Sequence, residues 1–422
     1  MKPNQVQVLS QVFVVGMAAA VATLSAAAQN QPQPPASNGK RPALRNRGPE
    51  MPSAPVGNQG YGMPLPGLNR AELAAFEAGL DEFLRAETAE SGLGPIFNDV
   101  SCVACHSAPA PGGASNRLVT RFGRTANGVF DPLESLGGSL LQLMAINPAV
   151  REVVPPQANV VARRQSTPLF GMGLMEAIPD ATLRQLAARP KPDGVRGRAA
   201  EVEDVATGQR RVGRLGWKAQ QATLLAFAGD AYLTEMGITS RLFPHENAPN
   251  GNAALLAAYD HVADPEDAVD PATGKSDIDL AADYMRLLAA PPTLNPSPSA
   301  RQGEVLFQQV GCAVCHVPVI PTGFSPVQAL NQKPVWLYSD LLLHDMGTLG
   351  DGIAQAAAGP TEMRTAPLWG LRASAPYLHD GRAADVDQAI VAHDGEARAA
   401  RDRYLRLTPS QRRQLADFLN TL

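Results

Sequence analysis

All four cysteines of this chain fall into two copies of one short pattern, C-x-x-C-H. The pattern attaches c-type haem, because its two thiols add to the vinyl groups of the porphyrin and the imidazole that follows ligates the iron. The first copy consists of Cys102, Cys105 and His106, and the second of Cys312, Cys315 and His316. The sequence therefore predicts two covalently bound haem c groups, with His106 and His316 as iron ligands.

Two other uses of paired cysteines explain less of the pattern. Two C-x-x-C pairs could hold one zinc ion, but a zinc site does not account for the histidine that directly follows each pair. A thioredoxin-like redox pair would need one C-x-x-C on a βαβ unit, and no such unit is visible. No cysteine is left over for a disulfide bond.

A helix is predicted directly before each motif. Apolar residues recur at helical spacing over 68–89, where Asn69 begins a capping box. The segment 299–310 precedes the second motif in the same way, and its Gly303 and Phe307 lie one helical turn apart. The glycine allows another helix to approach closely, with the aromatic ring beside it. A helix that runs into C-x-x-C-H is how small cytochromes c begin.

The remaining composition favours helices and loops. Aromatic residues make up only 5% of the chain, and alternation of β-branched residues is scarce. Further helices are predicted over 224–233, 253–259, 278–288 and 410–422. The string Thr167-Pro-Leu-Phe-Gly-Met172 after the first motif returns as Ala366-Pro-Leu-Trp-Gly-Leu371 after the second. We therefore predict an all-α fold of two related cytochrome c-like haem domains packed together, with long irregular loops.

The N-terminus has the features of an export signal. Lys2 provides a positive start, the stretch 12–28 is nearly all apolar and small, and it ends in an A-x-A-like cleavage site at Ala28. Because the apolar run is short and no stop-transfer pattern follows, a signal peptide over 1–28 is favoured over a membrane anchor. Haem c attachment takes place outside the cytoplasm, which agrees with cleavage near Ala28 and a periplasmic location.

The rest of the chain divides into three segments. Residues 29–68 are rich in Pro, Gly, Asn and Gln and are predicted to be a disordered leader. A cluster of prolines ends the N-terminal domain, 69–295, and the C-terminal domain follows at 296–422. The net charge of −4 gives no basis for nucleic-acid binding.

Short strings with a specific order follow one another along the chain. They are Gly92-Leu-Gly-Pro-Ile-Phe-Asn98, Gly173-Leu-Met-Glu-Ala-Ile-Pro179, Gly216-Trp-Lys-Ala219, Leu342-Leu-His-Asp-Met-Gly347, Thr365-Ala-Pro-Leu-Trp-Gly-Leu371, Leu378-His-Asp-Gly-Arg-Ala383 and Ala392-His-Asp-Gly-Glu-Ala397. With these strings the chain resembles the bacterial di-haem cytochrome c peroxidase superfamily. It looks most like the di-haem oxidoreductase, putative peroxidase branch, sometimes called thiol oxidoreductase. The resemblance implies an oxidising haem in the N-terminal domain and an electron-transferring haem in the C-terminal domain.

The second axial ligand of the C-terminal iron is assigned from this resemblance. In the superfamily, the residue at a fixed distance after the H-D-G string ligates this haem, and this chain has His393 there. A second strong ligand produces a low-spin iron suited to electron transfer. Met346, Met363 and His344 are the alternative ligands.

The N-terminal iron has fewer candidates for its second ligand. No histidine lies between His106 and His245. Either the position is open to peroxide or oxygen, which we favour, or it is filled by Met172 or Met175.

Two further residues are candidates for catalysis. Peroxide cleavage needs a group that moves a proton between the two oxygens. Glu176 is the best candidate, since a carboxylate in an apolar haem pocket would have a raised pKa. Trp217 is a candidate electron relay between the haems, as a tryptophan is in the superfamily, although there it occupies a different local motif.

Together these inferences predict a periplasmic di-haem enzyme that reduces hydrogen peroxide, or another small oxidant, at the N-terminal haem. Electrons would come from a small periplasmic donor through the C-terminal haem. The alternatives are a non-enzymatic di-haem electron carrier and a di-haem enzyme that oxidises an organic or protein substrate. The resemblance also leaves room for a calcium ion, which some members of the superfamily hold between their domains.

Overall fold

The computed structural model of the chain describes residues 60–261, 268–271 and 273–422. The predicted signal peptide and most of the predicted leader lie outside the described residues. The end of that leader lies inside them and packs against the protein. Leu65 is buried there, and its backbone N–H donates to the carbonyl oxygen of Leu287 at 2.7 Å. None of the described helices is long and apolar enough to cross a lipid bilayer.

Eleven α-helices are described, and most of the predicted ones lie close to their predicted positions. They are α1 (Arg70–Leu84), α2 (Cys102–Cys105), α3 (Met172–Glu176), α4 (Asp180–Ala188), α5 (Leu224–Ala231), α6 (Ala253–Tyr259), α7 (Asp277–Leu287), α8 (Pro298–Val310), α9 (Val386–Val391), α10 (Arg398–Leu405) and α11 (Pro409–Leu419). Asn69 caps α1 with the predicted capping box. A π-helical turn, Tyr232–Met236, continues α5.

The prediction of an all-α fold was wrong, because the protein is mixed, with 36% helix and 17% strand. The strands are β1 (Ile96–Phe97), β2 (Leu118–Ala126), β3 (Val129–Asp131), β4 (Leu140–Leu141), β5 (Met144–Ala145), β6 (Val160–Gln165), β7 (Ala200–Asp204), β8 (Gln209–Gly213), β9 (Ile320–Pro321), β10 (Pro334–Val335), β11 (Leu343–Asp345) and β12 (Glu362–Arg364). Strand β2 pairs antiparallel with β3, β4 and β6, and the other strands form antiparallel pairs.

Charged residues hide these strands from an analysis of hydrophobic periodicity. In β6 the side chain that points into the protein is Arg164, whereas Val161 on the other face is exposed. In the β7–β8 hairpin, Glu203 lies opposite Arg210. Half-buried strands are recognised by alternating apolar residues. Strand β6, with an arginine facing inward, and the β7–β8 hairpin, with paired charges, lack this alternation.

The first and the last long helix of each half pack against each other in the same way. Helix α1 packs on α7, and α8 packs on α11. A side chain at Gly79 would overlap the backbone of α7, and one at Gly303 would overlap the backbone of α11. Phe83 and Phe307 follow these glycines by four residues, on the same helix face. The close approach predicted at Gly303 is therefore confirmed, and it has a counterpart at Gly79.

The repeated Pro-Leu-aromatic-Gly strings also adopt one conformation. Gly171 and Gly370 have φ angles of +73° and +70°, and each precedes a short helical turn. Glycine suits this left-handed region because it has no Cβ. Gly171 lies against the ring of Trp369, which belongs to the other string, so the two copies pack close to each other within one compact unit.

Candidate haem sites

Each C-x-x-C-H motif places its histidine near a phenylalanine ring from the preceding long helix, α1 or α8. The first motif forms α2, and the second begins with a 3₁₀ turn. The ring of Phe83 is 6.3 Å from that of His106, and Phe307 is 6.5 Å from His316, centre to centre. The four cysteines are free thiols. Burial raises the pKa of the first cysteine of each motif to about 12, so both thiols are protonated at neutral pH.

The two motif histidines have the same hydrogen bond. Nδ1 of His106 donates to the carbonyl oxygen of Gly113 at 3.0 Å, and Nδ1 of His316 donates to that of Tyr338 at 2.9 Å. A carbonyl fixes the proton on Nδ1 and leaves Nε2 as the basic nitrogen, which is the usual arrangement of a metal-binding imidazole. Burial lowers the pKa of both histidines, to about 4 for His316, and so favours the neutral form that binds metals.

His393 lies opposite His316. Their ring centres are 6.5 Å apart, and Nδ1 of His393 donates to the carbonyl oxygen of Ala389 in α9 at 2.8 Å. Imidazole–metal bonds in proteins are about 2 Å long. Two such bonds, together with the distance from each Nε2 atom to its ring centre, fit within this separation. One metal ion could therefore lie between the two Nε2 atoms. The pair fits a six-coordinate haem iron.

The first motif lacks this arrangement. In the described part of the chain, the ring contact recorded for His106 is with Phe83, and no second histidine ring lies against it. Met172 and Met175 are buried in the surrounding core. The two histidine sites therefore differ, although the segments that hold them are repeated.

The second motif opens into a cavity of about 320 Å³. Its lining is mostly apolar and includes Cys312, Cys315, His316, His393, Trp217 and His379. Two thiols, two facing imidazoles and apolar walls are the components that a covalently bound haem requires. Met346 and Met363, the alternative ligands, also line this cavity.

His344 is excluded as an iron ligand by its own partners. Its Nε2 is 3.0 Å from a carboxylate oxygen of Asp340, and its Nδ1 is 2.7 Å from one of Glu396. Burial alone would lower the pKa of His344, but hydrogen bonds to Asp340, Cys315 and Glu396 outweigh it and raise the pKa to about 12. This histidine is an imidazolium with both nitrogens engaged.

A buried cationic cluster lies next to the cavity. Nε of Arg164 is 2.7 Å from Asp351, and Nζ of Lys218 is 3.0 Å from the same carboxylate. All three side chains are at most 5% exposed, and within the described structure Nη2 of Arg164 has no partner. Two cations thus share one anion. A carboxylate such as a haem propionate would complement the remaining charge and the free N–H group.

Trp217 lines the cavity at the second motif. Its ring is edge-on to His379 with centres 6.3 Å apart, and its indole N–H donates to the carbonyl oxygen of Gln165 at 2.8 Å. The next residue, Ser166, donates its hydroxyl to the carbonyl oxygen of Cys105 at 2.7 Å. A short path of bonds therefore links the first motif to a tryptophan in the wall of the second cavity.

Glu176 has different surroundings from those expected. Its carboxylate is 2.8 Å from Nε of Arg286, and it accepts a hydrogen bond from the backbone N–H of Leu224 at 2.7 Å, at the start of α5. Glu176 was predicted to lie in an apolar pocket, whereas the structure pairs it with the guanidinium group of Arg286. Its role in proton transfer stays a prediction.

The described residues contain no cluster of three or more His, Cys, Asp and Glu side chains that could hold a metal ion. The described residues therefore offer no carboxylate cluster for the calcium ion that the family resemblance left open. Any calcium site there would need backbone or amide oxygens as its main ligands.

Two features of the site were missed by sequence reasoning. Gln165 donates from its side-chain amide to the carbonyl oxygens of Pro376 and Leu378, and its backbone N–H donates to that of His379. The carboxylates around His344 come from positions 4 and 52 residues away. Neither pattern has a local signature, because contacts between distant segments set it.

A buried tyrosine–carboxylate pair lies beside the first motif. The hydroxyl of Tyr232 donates to the carboxylate of Glu82, and the two residues are 2% and 5% exposed. Cys102 packs against the same core. Burial raises the pKa of Glu82 to about 7, although the hydrogen bond from Tyr232 acts in the opposite direction.

Glu82 should therefore make the stability of the protein depend on pH. Because its pKa is higher in the folded than in the unfolded protein, the folded state binds an extra proton between about pH 4.5 and 7, and stability falls as pH rises through this window. The shift corresponds to about 3 kcal/mol. In Glu82→Gln, denaturant unfolding at pH 5 and pH 8 should lack this difference. Equal pH dependence in the variant and the native protein would contradict the assignment.

The fold resembles several solved structures only distantly. Hydrazine synthase of Kuenenia stuttgartiensis is 14% identical, with 91% of this chain and 100% of that chain covered and a TM-score of 0.39. The diheme peroxidase BthA of Burkholderia thailandensis is 14% identical, with 83% and 86% covered and a TM-score of 0.36. A MauG-like protein associated with microbial copper homeostasis is 17% identical, with 60% and 89% covered and a TM-score of 0.31. No curated protein matches the chain.

The sequence itself matches a family model over residues 154–422, which is more than half of the chain. The matched segment includes the second motif, His393, Trp217 and Glu176. The first motif lies before it. The chain belongs to the family described as di-haem oxidoreductase, putative peroxidase, and this family implies two haem cofactors.

Proposed function

We propose that this protein is a periplasmic di-haem c oxidoreductase that reduces hydrogen peroxide at the first site with electrons delivered through the second. The observation that carries the proposal is the difference between the two histidine sites. His316 faces His393 across 6.5 Å, whereas His106 has no such counterpart among the described residues. Two strong ligands suit an iron for electron transfer, and a vacant position lets a small molecule bind.

The chain's own residues would hold the two groups. The four motif cysteines would form the thioether links. Burial raises the pKa of Cys102 and Cys312, which favours thiols over thiolates at these two positions before attachment. His106 and His316 would ligate the irons through Nε2, because their Nδ1 atoms are already engaged. Arg164 would bind a propionate with its free N–H group. Haem, when bound, supplies an iron that accepts and passes on single electrons.

Electron transfer between the sites would use Trp217. The indole is hydrogen-bonded to Gln165, and the hydroxyl of Ser166 is hydrogen-bonded to Cys105. The path therefore consists of covalent bonds and these two hydrogen bonds. His379 packs edge-on against the ring and holds its orientation. The electrons would come from a small periplasmic donor protein.

Glu176 is proposed to move a proton during cleavage of the peroxide bond. To do so it would have to exchange part of its contact with Arg286 for the substrate. The guanidinium group of Arg286 would then keep the carboxylate in position beside the substrate.

The proposal is tested on the haem-loaded protein by low-temperature EPR and by peroxide turnover. We expect one high-spin and one low-spin ferric signal, and oxidation of a reduced small cytochrome that depends on hydrogen peroxide. Two low-spin signals without turnover would favour an electron carrier. Turnover of an organic substrate, without oxidation of the cytochrome, would favour the substrate-oxidising alternative.

The variant Trp217→Phe is expected to slow electron transfer between the sites. Because the phenyl ring has no N–H group for Gln165 and is harder to oxidise, steady-state turnover should fall while the reaction of peroxide with the first iron stays unchanged in stopped-flow spectra. Trp369 lines the same cavity as Trp217 but is not on this path, so Trp369→Phe is the matched control and should keep its turnover. An equal loss in both variants would point to packing rather than electron transfer.

A further inference from the structure

The Tyr232–Glu82 pair has a chemistry that peroxide reduction alone does not use. We propose that Tyr232 is a redox-active residue of the first haem site and that Glu82 is the base which takes its proton. The pair would store one oxidising equivalent in the protein when no electron donor is bound. This inference rests on the proposed function, because it takes its oxidant from the reaction with peroxide.

The position of Tyr232 suits this role. It lies in the π-helical turn after α5, and such turns are frequent at functional sites. Burial together with the nearby Cys102 and Glu82 holds the pKa of Tyr232 well above its usual range, so the ring does not lose its proton before it is oxidised. Tyr232 belongs to the core cluster against which Cys102 packs, and Cys102 is one of the two residues to which the first haem would be attached.

The bond changes are simple. Tyrosine gives up one electron to the haem that peroxide has oxidised, its O–H bond breaks, and the proton forms an O–H bond on the Glu82 carboxylate. The products are a neutral tyrosyl radical and a neutral carboxylic acid. Because both products are uncharged, the buried pair carries no additional charge, which would be costly in a poorly solvated core.

A cation that reaches solvent lies beside Glu82. A guanidinium nitrogen of Arg85 lies 2.7 Å from Glu82, and Arg85 is 42% exposed. Arg85 also bonds to Glu87 and Asp277. Arg85 thus ties Glu82 to two further carboxylates, and the proton that Tyr232 releases stays on Glu82.

A second tyrosine in the same core lacks a base. Tyr284 is fully buried, and its ring is 4.7 Å from that of Phe83. Its hydroxyl donates at 2.8 Å to the carbonyl oxygen of Pro111, which does not take up a proton. Oxidation of Tyr284 would leave a charged radical in the core, so Tyr284 is a matched control for Tyr232.

The test is freeze-quench EPR of the haem-loaded protein after one equivalent of hydrogen peroxide without a donor. A parallel sample is oxidised by photogenerated ruthenium(III). The native protein should give a radical signal with either oxidant. The signal should be narrower when the protein contains ring-deuterated tyrosine, which identifies the radical as a tyrosyl. Tyr232→Phe should abolish it, Tyr284→Phe should retain it, and Glu82→Gln should slow its formation by about a hundredfold.

The outcomes separate the inference from the proposed function. A labelled signal that survives in Tyr232→Phe, or no tyrosyl signal with either oxidant, overturns the inference even if peroxide turnover is normal. A Tyr232 signal with ruthenium(III) but no change of the haem spectrum with peroxide supports the pair and overturns peroxide as the substrate.

Discussion

Replacement of His393 with alanine is expected to turn the second iron from a low-spin into a high-spin ferric centre. His316 and His393 face each other at the distance that suits two axial imidazoles, so the variant would lose one of two strong ligands. The low-spin EPR signal should disappear, and electron delivery to the first site should fall with it. Added imidazole should restore the low-spin signal, because it can fill the vacated position.

Two variants in the same cavity serve as controls for His393→Ala. Met346 and Met363 line the cavity and are the remaining alternative ligands. Met346→Leu and Met363→Leu should keep the low-spin signal. His393→Met should retain a six-coordinate iron with a higher reduction potential, since thioether ligation raises it. If the low-spin signal were lost in Met346→Leu or Met363→Leu but retained in His393→Ala, that methionine and not His393 would be the ligand.

Replacement of His344 with leucine is expected to destabilise the fold by about 3–5 kcal/mol. The imidazolium is 2% exposed and lies between the carboxylates of Asp340 and Glu396. Leucine has a similar size, but it leaves two negative charges facing each other in the protein without a cation. Glu396 also accepts hydrogen bonds from the backbone of Arg196 and Gly197, so the contact between the two halves should loosen too. Denaturant unfolding measures the loss.

A surface ion pair provides the comparison for His344→Leu. Arg184 and Glu201 are joined at 2.8 Å but are 46% and 30% exposed, and Arg184→Ala should cost no more than about 1 kcal/mol. In the His344→Leu background, Asp340→Asn should recover part of the loss because it removes one uncompensated charge. If His344→Leu costs no more than Arg184→Ala, the imidazolium is not needed to hold the carboxylates.

The sequence was sufficient for the parts of the site that have local patterns. The C-x-x-C-H motifs, the helices before them and the close approach at Gly303 follow from spacing alone. His393 was placed by family resemblance, and the structure puts it opposite His316. These features depend on residues a few positions apart, or on a string with a fixed order.

The rest of the site depends on contacts between distant segments. Strand β6 was missed because its inward residue, Arg164, is neutralised by Asp351 from the other half. The surroundings of Glu176 were misjudged because Arg286 lies far along the chain. Periodicity reports which face of an element is apolar, but not which charge meets another across the fold.

The hydrogen bonds of Gln165 have a mechanical consequence. This one residue of β6 holds the indole of Trp217 by its carbonyl group and clamps the loop around Pro376 and Leu378 by its side-chain amide. Any motion that pulls this loop away would also strain the hydrogen bond that holds the indole of Trp217. Gln165 thus couples the position of a loop in the C-terminal half to the orientation of Trp217 in the N-terminal half.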